Sequence, residues 1–210
     1  MIEQENKVLD KKDYILDAAE RLFAEQGFEA VSVREISKAA DINIAMVSYY
    51  FGSKEKLYEE IIKRKLIFSD TMRNEIEKYE TYTEKLFAVI DLYIQRLFDN
   101  RAFQNIIFRE MAMNQRSAMN EVILEQIHKN FSAMADIINK GIKHKEFNKV
   151  DVELTVMSIV AIVKTYTTSG MMACKVLQLE NPKDAFDIKY KNRLRKHLRE
   201  LLTNHLGIEK

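Results

Sequence analysis

The chain has 210 residues, of which 47% are hydrophobic and 31% are charged, and its formal net charge is +1 at pH 7. This composition is typical of a globular protein, and 5 glycines with 1 proline favour long helices over an all-β fold. The single cysteine, Cys174, excludes an internal disulfide, and the longest apolar run, residues 156–163, is too short to span a bilayer. The polar N-terminus is no signal peptide, so these features predict a cytoplasmic protein without membrane insertion.

The N-terminal part of the chain predicts three short helices. Apolar residues recur at helical spacing over residues 13–26, and a glycine follows them as a C-terminal cap. Ser32 and Glu35 have the spacing of a capping box that opens a second helix. Asn43 can cap a third helix, residues 44–51, after a three-residue turn. Three short helices with a tight turn between the second and third predict a helix-turn-helix.

The third predicted helix ends in an aromatic run within the segment NIAMVSYYFGSKEKL. Tyr49, Tyr50 and Phe51 are consecutive, so their rings point in three directions around a helix and at least one of them cannot face the core. Gly52 ends this helix, and Ser53 can cap the next one. An exposed aromatic side chain at the end of a short helix indicates contact with another molecule.

The rest of the chain predicts further helices and no strand. Residues 141–149 form a polar connection between two of them. The helix over residues 151–175 is apolar almost all round near its middle, so it must be covered on two sides. The helices predicted after the third one cover residues 53–78, 84–98, 102–113, 117–140, 151–175 and 184–206.

The segment AAERLFAEQGFEAVSVREISKAADINIAMVSYYFGSKEKLYEEI closely resembles the N-terminal signature of the TetR family of bacterial transcriptional regulators. The phrase NKGIKHKEFNKVD is also similar to the connection that leads into the penultimate helix of that family. The resemblance implies an all-α, TetR-like fold. Residues 1–52 would form the helix-turn-helix DNA-binding domain, and residues 53–210 would form a helical-bundle domain for effector binding and dimerisation.

The resemblance also implies that residues 44–51 are the recognition helix that enters the major groove of double-stranded operator DNA, with Val47 and Phe51 as its inward pair. Ser48 stands where the family often has a tyrosine, and Ile44 stands where it often has a polar or basic residue. Both departures favour apolar contact with thymine methyl groups over hydrogen-bonded readout. The side chains expected to face base edges are Ile44, Ala45, Ser48 and Tyr49. Those expected to contact the phosphate backbone are Ser32, Arg34, Tyr50 and Lys54.

The remaining apolar residues predict a ligand sensor and a dimer surface. Because the second domain of this family is usually a sensor, the resemblance implies a small apolar or aromatic effector held between helices. Residues 151–175 and 184–206 carry apolar stripes that we expect to pair with a second copy around a two-fold axis. The expected pocket residues are Phe87, Tyr93, Phe108, Met111, Phe131 and Met134. The expected interface residues are Val160, Val163, Leu194, Leu198 and Leu201.

These features favour a homodimeric repressor that releases its operator when a small effector binds, with no cofactor, no metal and no catalytic residue. The alternative is a helical-bundle metalloenzyme or a ligand-binding protein without specific DNA binding. Glu125 and His128 have the Glu-x-x-His spacing of one half of a di-metal carboxylate site. No other histidine of the sequence follows a glutamate at that spacing, and Cys174 is best read as a buried thiol. A DNA-binding regulator therefore remains the better interpretation.

Two explanations that involve no DNA contact remain open for residues assigned to DNA binding. Tyr49 and Tyr50 could both pack on the helix that follows them, as aromatic side chains between helices often do. Arg34 could be an ordinary solvated surface charge. The exposure of the two tyrosine side chains tests the first of these explanations.

Overall fold

The computed structural model describes residues 2–66, 74–100, 103–104, 106–107, 111, 117–168, 170–181 and 184–209. All regular elements in these ranges are helical, which confirms the all-α prediction. The chain divides into two compact units, the first with residues 1–67 and 102–126 and the second with residues 68–101 and 127–210. The helices are α1 (Ile2–Gln26), α2 (Val33–Ala39), α3 (Ile44–Phe51), α4 (Lys54–Leu66), α5 (Tyr82–Asp99), α6 (Ser117–Lys143), α7 (Val152–Thr168), α8 (Gly170–Leu177) and α9 (Ile188–Leu206).

The first unit contains α1 to α4, and its helices begin at the predicted caps. The Ser32 hydroxyl accepts a hydrogen bond from the Glu35 amide at 3.2 Å, and the Glu35 carboxylate accepts one from the Ser32 amide at 2.7 Å. The Asn43 side chain caps α3 by accepting from the Ala45 amide at 2.9 Å. Gly52 ends α3 with a φ of 78°, a conformation in which a side chain would be strained. The predicted capping box and the start and end of α3 are confirmed.

Aromatic rings form the centre of the first unit's core. The rings of Phe23 and Tyr58 meet edge to face with their centroids 5.1 Å apart, and the centroid of Phe28 lies 4.8 Å from that of Tyr58. Val47 and Phe51 are buried, so the inward pair predicted for α3 is confirmed. Two large buried side chains four residues apart fix which side of this eight-residue helix faces the protein.

The second unit packs α5, α7 and α9 with the C-terminal half of α6. A second capping box, formed by Thr81 and Glu84, opens α5. Glu146, in the connection between α6 and α7, accepts hydrogen bonds from the amides of Tyr82 at 3.1 Å and Thr83 at 3.0 Å. The connection is thereby tied to the start of α5. The core contains Leu86, Val89, Ile90, Ile94, Leu97, Met134, Ile137, Ile138, Phe147, Val152, Val156, Ile159, Val160, Val163, Leu194, Leu198, Leu202 and Leu206.

The prediction of one continuous helix over residues 151–175 is wrong. The structure ends α7 at Thr168 and begins α8 at Gly170. Threonine and glycine are poor helix formers, so a run of them is a point at which a helix breaks readily.

Taken singly, none of the described helices is both long and apolar enough to cross a bilayer.

The other boundaries differ less from the predictions. The chain makes a 3-10 turn at Asp184–Phe186 before α9 begins at Ile188. At the other end of the chain, α1 extends to Ile2, well before the predicted start. Residues 67–73 of the helix predicted over 53–78 lie outside the described residues, and so does much of the helix predicted over 102–113.

Candidate nucleic-acid interface

α3 has an exposed face that carries no charged side chain. The exposed fraction of Tyr49 is 80% and that of Ile44 is 49%. Ala45 and Ser48 are exposed as well, so the four side chains predicted to face base edges all lie on the surface. Val47, on the opposite side of the helix, is buried. A short helix held by its inner side with its outer side open has the arrangement that entry into a major groove requires.

The two tyrosines of α3 have different surroundings. Their rings meet edge to face with centroids 5.2 Å apart. Tyr50 is half-buried, and its ring lies 6.4 Å from that of Phe51. Tyr49 is largely exposed, so the alternative that both tyrosines pack on the next helix does not hold for Tyr49. Tyr50 supports the ring of Tyr49 from the protein side.

The start of α2 combines an exposed cation with a capping box. Arg34 is exposed, as its predicted phosphate contact requires. The Ser32 hydroxyl donates to the Glu35 carboxylate at 2.7 Å, and this bond, with one from the Ser32 amide, lowers the pKa of Glu35 below its usual value. The Ser32 hydroxyl proton is therefore engaged in the cap before any phosphate arrives. Phosphate contacts by Ser32 and Arg34 stay predictions.

Lys54 is partly turned inward. Its ammonium donates hydrogen bonds to the carbonyls of Phe28 at 3.0 Å and Val31 at 2.9 Å, and lies 4.2 Å from the centroid of the Phe28 ring. A cation is disfavoured in the first turn of a helix, and these carbonyls and this ring compensate for that cost. An ammonium has three N–H donors, so one remains for a phosphate. The sequence contains no direct signal for this internal role.

Comparison with known proteins agrees with this geometry. Residues 15–61, which include α2 and α3, match the sequence model of the family described as "Bacterial regulatory proteins, tetR family". Residues 79–168 match that of the "Tetracyclin repressor-like, C-terminal domain". The two matches together cover more than half of the chain. The chain belongs to the TetR family. It is a DNA-binding transcriptional regulator, and α1 to α3 contain the helix-turn-helix of its DNA-binding head.

Related proteins support the same assignment over longer stretches. The "Probable HTH-type transcriptional regulator YttP" of Bacillus subtilis is 29% identical over 139 residues, which cover 65% of this chain and 67% of the relative. The "Fatty acid metabolism regulator protein" of the same species is 26% identical over 164 residues, or 75% of this chain and 82% of the relative. A solved structure of FadR from Bacillus subtilis in complex with stearoyl-CoA superimposes with a TM-score of 0.69 at 23% identity, covering 88% of this chain and 96% of that one. This likeness confirms the TetR-like fold.

Members of the TetR family also bind small effectors in their second domain, and the four predicted pocket residues that lie in the described part of the second unit pack in or against its core. Met134 is buried in the core of the second unit. The ring of Phe87 is covered by the guanidinium of Arg199, 4.7 Å from its centroid. Tyr93 and Phe131 are packed against the core, and burial raises the pKa of the Tyr93 hydroxyl. Met111 belongs to the first unit, and Phe108 lies outside the described residues.

The second unit does contain a cavity of about 740 Å³, and its lining differs from the predicted one. Three lysines reach it, together with both acidic and apolar side chains. The lining consists of Ile76, Glu77, Tyr82, Lys85, His128, Lys129, Ser132, Ala133, Asp136, Ile137 and Lys140. Most of these residues recur at helical spacing along α6, on the side away from the stripe of large apolar residues. The sequence signal for this cavity was therefore the polar side of α6.

The predicted dimer interface needs correction. Val163 and Leu198 have no exposed surface within a single chain, and Val160 and Leu194 are buried with them in the core of the second unit. A side chain that its own chain already covers offers no apolar surface to a second copy. Of the five predicted residues only Leu201 is exposed, with an exposed fraction of 37%. The dimer itself stays a prediction, and it requires other residues.

The alternative metal site receives no support from the described residues. No three His, Cys, Asp or Glu side chains among them lie close enough together to hold a metal ion. Glu125 and His128 are both exposed on α6. Cys174 is buried and its thiol donates to the carbonyl of Leu179 at 3.0 Å, which confirms the prediction of a buried thiol.

Proposed function

We propose that this TetR-family regulator is a homodimeric cytoplasmic repressor that releases its operator when a small effector binds the second unit. The exposed, uncharged face of α3, held from behind by the buried side chain of Val47, is the observation that carries the DNA-binding part of this proposal. In the complex, Ile44, Ala45, Ser48 and Tyr49 face base edges. Ser32, Arg34, Tyr50 and the third N–H of Lys54 contact the phosphate backbone.

Fluorescence anisotropy with the DNA upstream of the protein's own gene tests DNA binding. We expect sequence preference and a steep decrease in affinity with salt, because each neutralised phosphate releases counterions. A scrambled duplex of the same composition is the control. Weak binding of equal strength to both duplexes would favour a ligand-binding protein that has no operator.

For the dimer we propose a surface made of exposed apolar side chains on α7 and α9. Leu154 and Met157 are exposed one helical turn apart on α7, and Leu201 is exposed on α9. α7 also carries buried side chains of the core, so it is apolar on two sides, whereas Leu201 lies among exposed charged side chains of α9 such as Arg199 and Glu200. Pairing these helices with their symmetry mates around a two-fold axis would bury the apolar side chains that a single chain leaves exposed.

For the effector we propose an amphiphile with a negative charge, of the class of long-chain acyl-CoA thioesters. The cavity of the second unit combines the cations Lys85, Lys129 and Lys140 with apolar side chains such as Ile137, which suits a molecule with an anionic part and an apolar chain. Within this lining Lys140 is paired with Asp136 at 2.7 Å, and the ammonium of Lys85 lies 5.0 Å from the centroid of the Tyr82 ring. The FadR structure with stearoyl-CoA supports this class.

Calorimetry with stearoyl-CoA, in the presence and absence of operator, tests the effector proposal. Linkage requires operator DNA to weaken stearoyl-CoA binding by the same factor by which stearoyl-CoA weakens operator binding. The double variant Lys85→Ala/Lys129→Ala should bind stearoyl-CoA more weakly and keep operator affinity. Equal affinity for stearoyl-CoA with and without operator would contradict its role as the effector.

A further inference from the structure

The recognition surface of α3 lacks the side chains with which proteins usually read guanine. Residues 44–51 contain no Arg, Lys, Asp or Glu. Bidentate recognition of guanine requires Arg or Lys at the base edge, and recognition of the cytosine amino group often uses a carboxylate. An exposed helix face made of Ile44, Ala45, Ser48 and Tyr49 can make neither contact.

The polar residues that flank α3 do not replace those contacts. The side-chain oxygen of Asn43 accepts from the Ala45 amide at 2.9 Å, which holds this side chain at the cap of α3. The ammonium of Lys54 is directed towards the carbonyls of Phe28 and Val31. A hydroxyl such as that of Ser48 can bond to several bases and therefore discriminates weakly among them.

The outer surface of α3 is instead apolar where it is most exposed. Ile44 has half of its surface open in the first turn, the methyl group of Ala45 lies beside it, and Tyr49 exposes its ring in the last turn. In the major groove the thymine C5-methyl group is the one apolar feature that distinguishes a base pair. We propose that this protein recognises its operator chiefly by contacts of Ile44, Ala45 and Tyr49 with thymine methyl groups. The proposal rests on the DNA-binding function proposed above and specifies which chemical group of the operator the protein recognises.

Removal of single methyl groups from the DNA tests this proposal directly. A high-affinity duplex is first selected with the full chain from random-sequence DNA. Copies of it are then made with deoxyuridine in place of one thymidine at a time, and their affinities are measured by fluorescence anisotropy. At contacted thymines we expect a loss of roughly fourfold per methyl, which corresponds to about 0.8 kcal/mol. Thymines outside the protected sequence serve as controls and should tolerate the exchange.

The variant Ile44→Ala identifies the protein side of the contact. It should bind the thymidine duplex more weakly than the wild-type protein does. At one or two of the positions where deoxyuridine weakens binding by the wild-type protein, the exchange should cause no further loss of affinity in the variant. Such coupling separates a direct methyl contact from an effect of uracil on DNA stiffness. Because Ile44 is exposed, the variant should keep its melting temperature.

The outcomes separate this inference from the proposed function. Specific binding that tolerates deoxyuridine at every position within a factor of 1.5 would overturn methyl recognition and leave the regulator function intact. Losses on deoxyuridine exchange that Ile44→Ala and Tyr49→Ala do not change would also overturn it, because the methyl groups would then not be read by α3. Failure to select any preferred duplex would overturn the proposed function.

Discussion

The ammonium of Lys54 lies 4.2 Å from the centroid of the Phe28 ring, and the carbonyls of Phe28 and Val31 accept its hydrogen bonds. These contacts join the first turn of α4 to the loop between α1 and α2. That loop leads directly to Ser32, the cap of α2. Lys54 therefore holds the start of α2 in place, in addition to any phosphate contact that it makes.

Lys54→Ala should reduce both the stability of the DNA-binding head and its affinity for operator. Hydrogen bonds from a charged donor contribute about 1.5–3 kcal/mol each, and at this half-exposed site we expect a total loss of about 2 kcal/mol in the free energy of unfolding. Thermal unfolding followed by circular dichroism measures it. Lys56→Ala, which removes an exposed lysine two residues on, is the matched control and should leave the melting temperature unchanged.

The salt dependence of operator binding separates the two roles of Lys54. If its third N–H contacts a phosphate, Lys54→Ala makes the negative slope of log affinity against log salt shallower by about one unit. We expect this decrease. A lowered melting temperature with an unchanged slope would contradict the phosphate contact and leave only the internal role.

Tyr49→Ala should weaken operator binding without affecting the fold. The side chain is largely exposed, so its removal opens no cavity in the core. A lost base contact costs about 1–3 kcal/mol in binding free energy. Tyr14→Ala removes another exposed tyrosine of the same unit, on α1, and serves as the control. Equal operator affinity of the two variants would show that Tyr49 makes no energetically important contact with DNA.

Met157→Glu should convert the dimer into a folded monomer. The side chain is exposed within one chain, so the charge is tolerated in the monomer and is disfavoured only where a second copy covers it. Sedimentation velocity measures the change, and operator affinity should decrease with it. Val176→Glu, at an exposed position on α8, should remain dimeric. A dimeric Met157→Glu protein would exclude this part of α7 from the interface.

Leu198→Glu should behave differently from Met157→Glu. Leu198 has no exposed surface within its own chain, so the new carboxylate would have to be buried in the core of the second unit. Burial of an unpaired charge costs several kcal/mol, and we expect unfolding of this unit instead of a stable monomer. Circular dichroism and sedimentation together measure this difference. A folded monomer would show that the dimer interface includes the side of α9 that we assign to the core.

The capping box of α2 should make the stability of the DNA-binding head dependent on pH in the acidic range. Hydrogen bonds from the side chain and the backbone of Ser32 lower the pKa of Glu35 from its usual 4.5. A carboxyl group whose pKa is lower in the folded state stabilises the fold above its unfolded pKa, and this contribution disappears as the pH falls through the folded value.

The difference in melting temperature between the wild-type protein and Glu35→Ala measures this effect. It should be constant from pH 7 to about pH 5 and should shrink below pH 4.5 as the carboxylate of Glu35 is protonated. Glu25→Ala, at an exposed glutamate of the same unit, is the control. A difference that grows as the pH falls would have the wrong sign for this mechanism.

The sequence by itself determined the parts of the protein that depend on near neighbours in the chain. Ser32 and Asn43 cap helices because a side-chain oxygen needs only an amide two or three residues away. Val47 and Phe51 face inward because residues four apart lie on the same side of a helix. These local rules were enough to predict the helix-turn-helix and the exposed face of α3.

Only the tertiary structure decided which apolar sides of the later helices are covered. Helical periodicity places Leu154 and Val163 on apolar stripes of α7, but it does not state which stripe meets α5 and α9 and which remains open. The internal partners of Lys54 were equally inaccessible, because they lie more than twenty residues away in the chain. The cavity along α6 likewise depends on how distant helices pack. Local spacing predicts a helix and its two sides, and long-range packing decides what each side contacts.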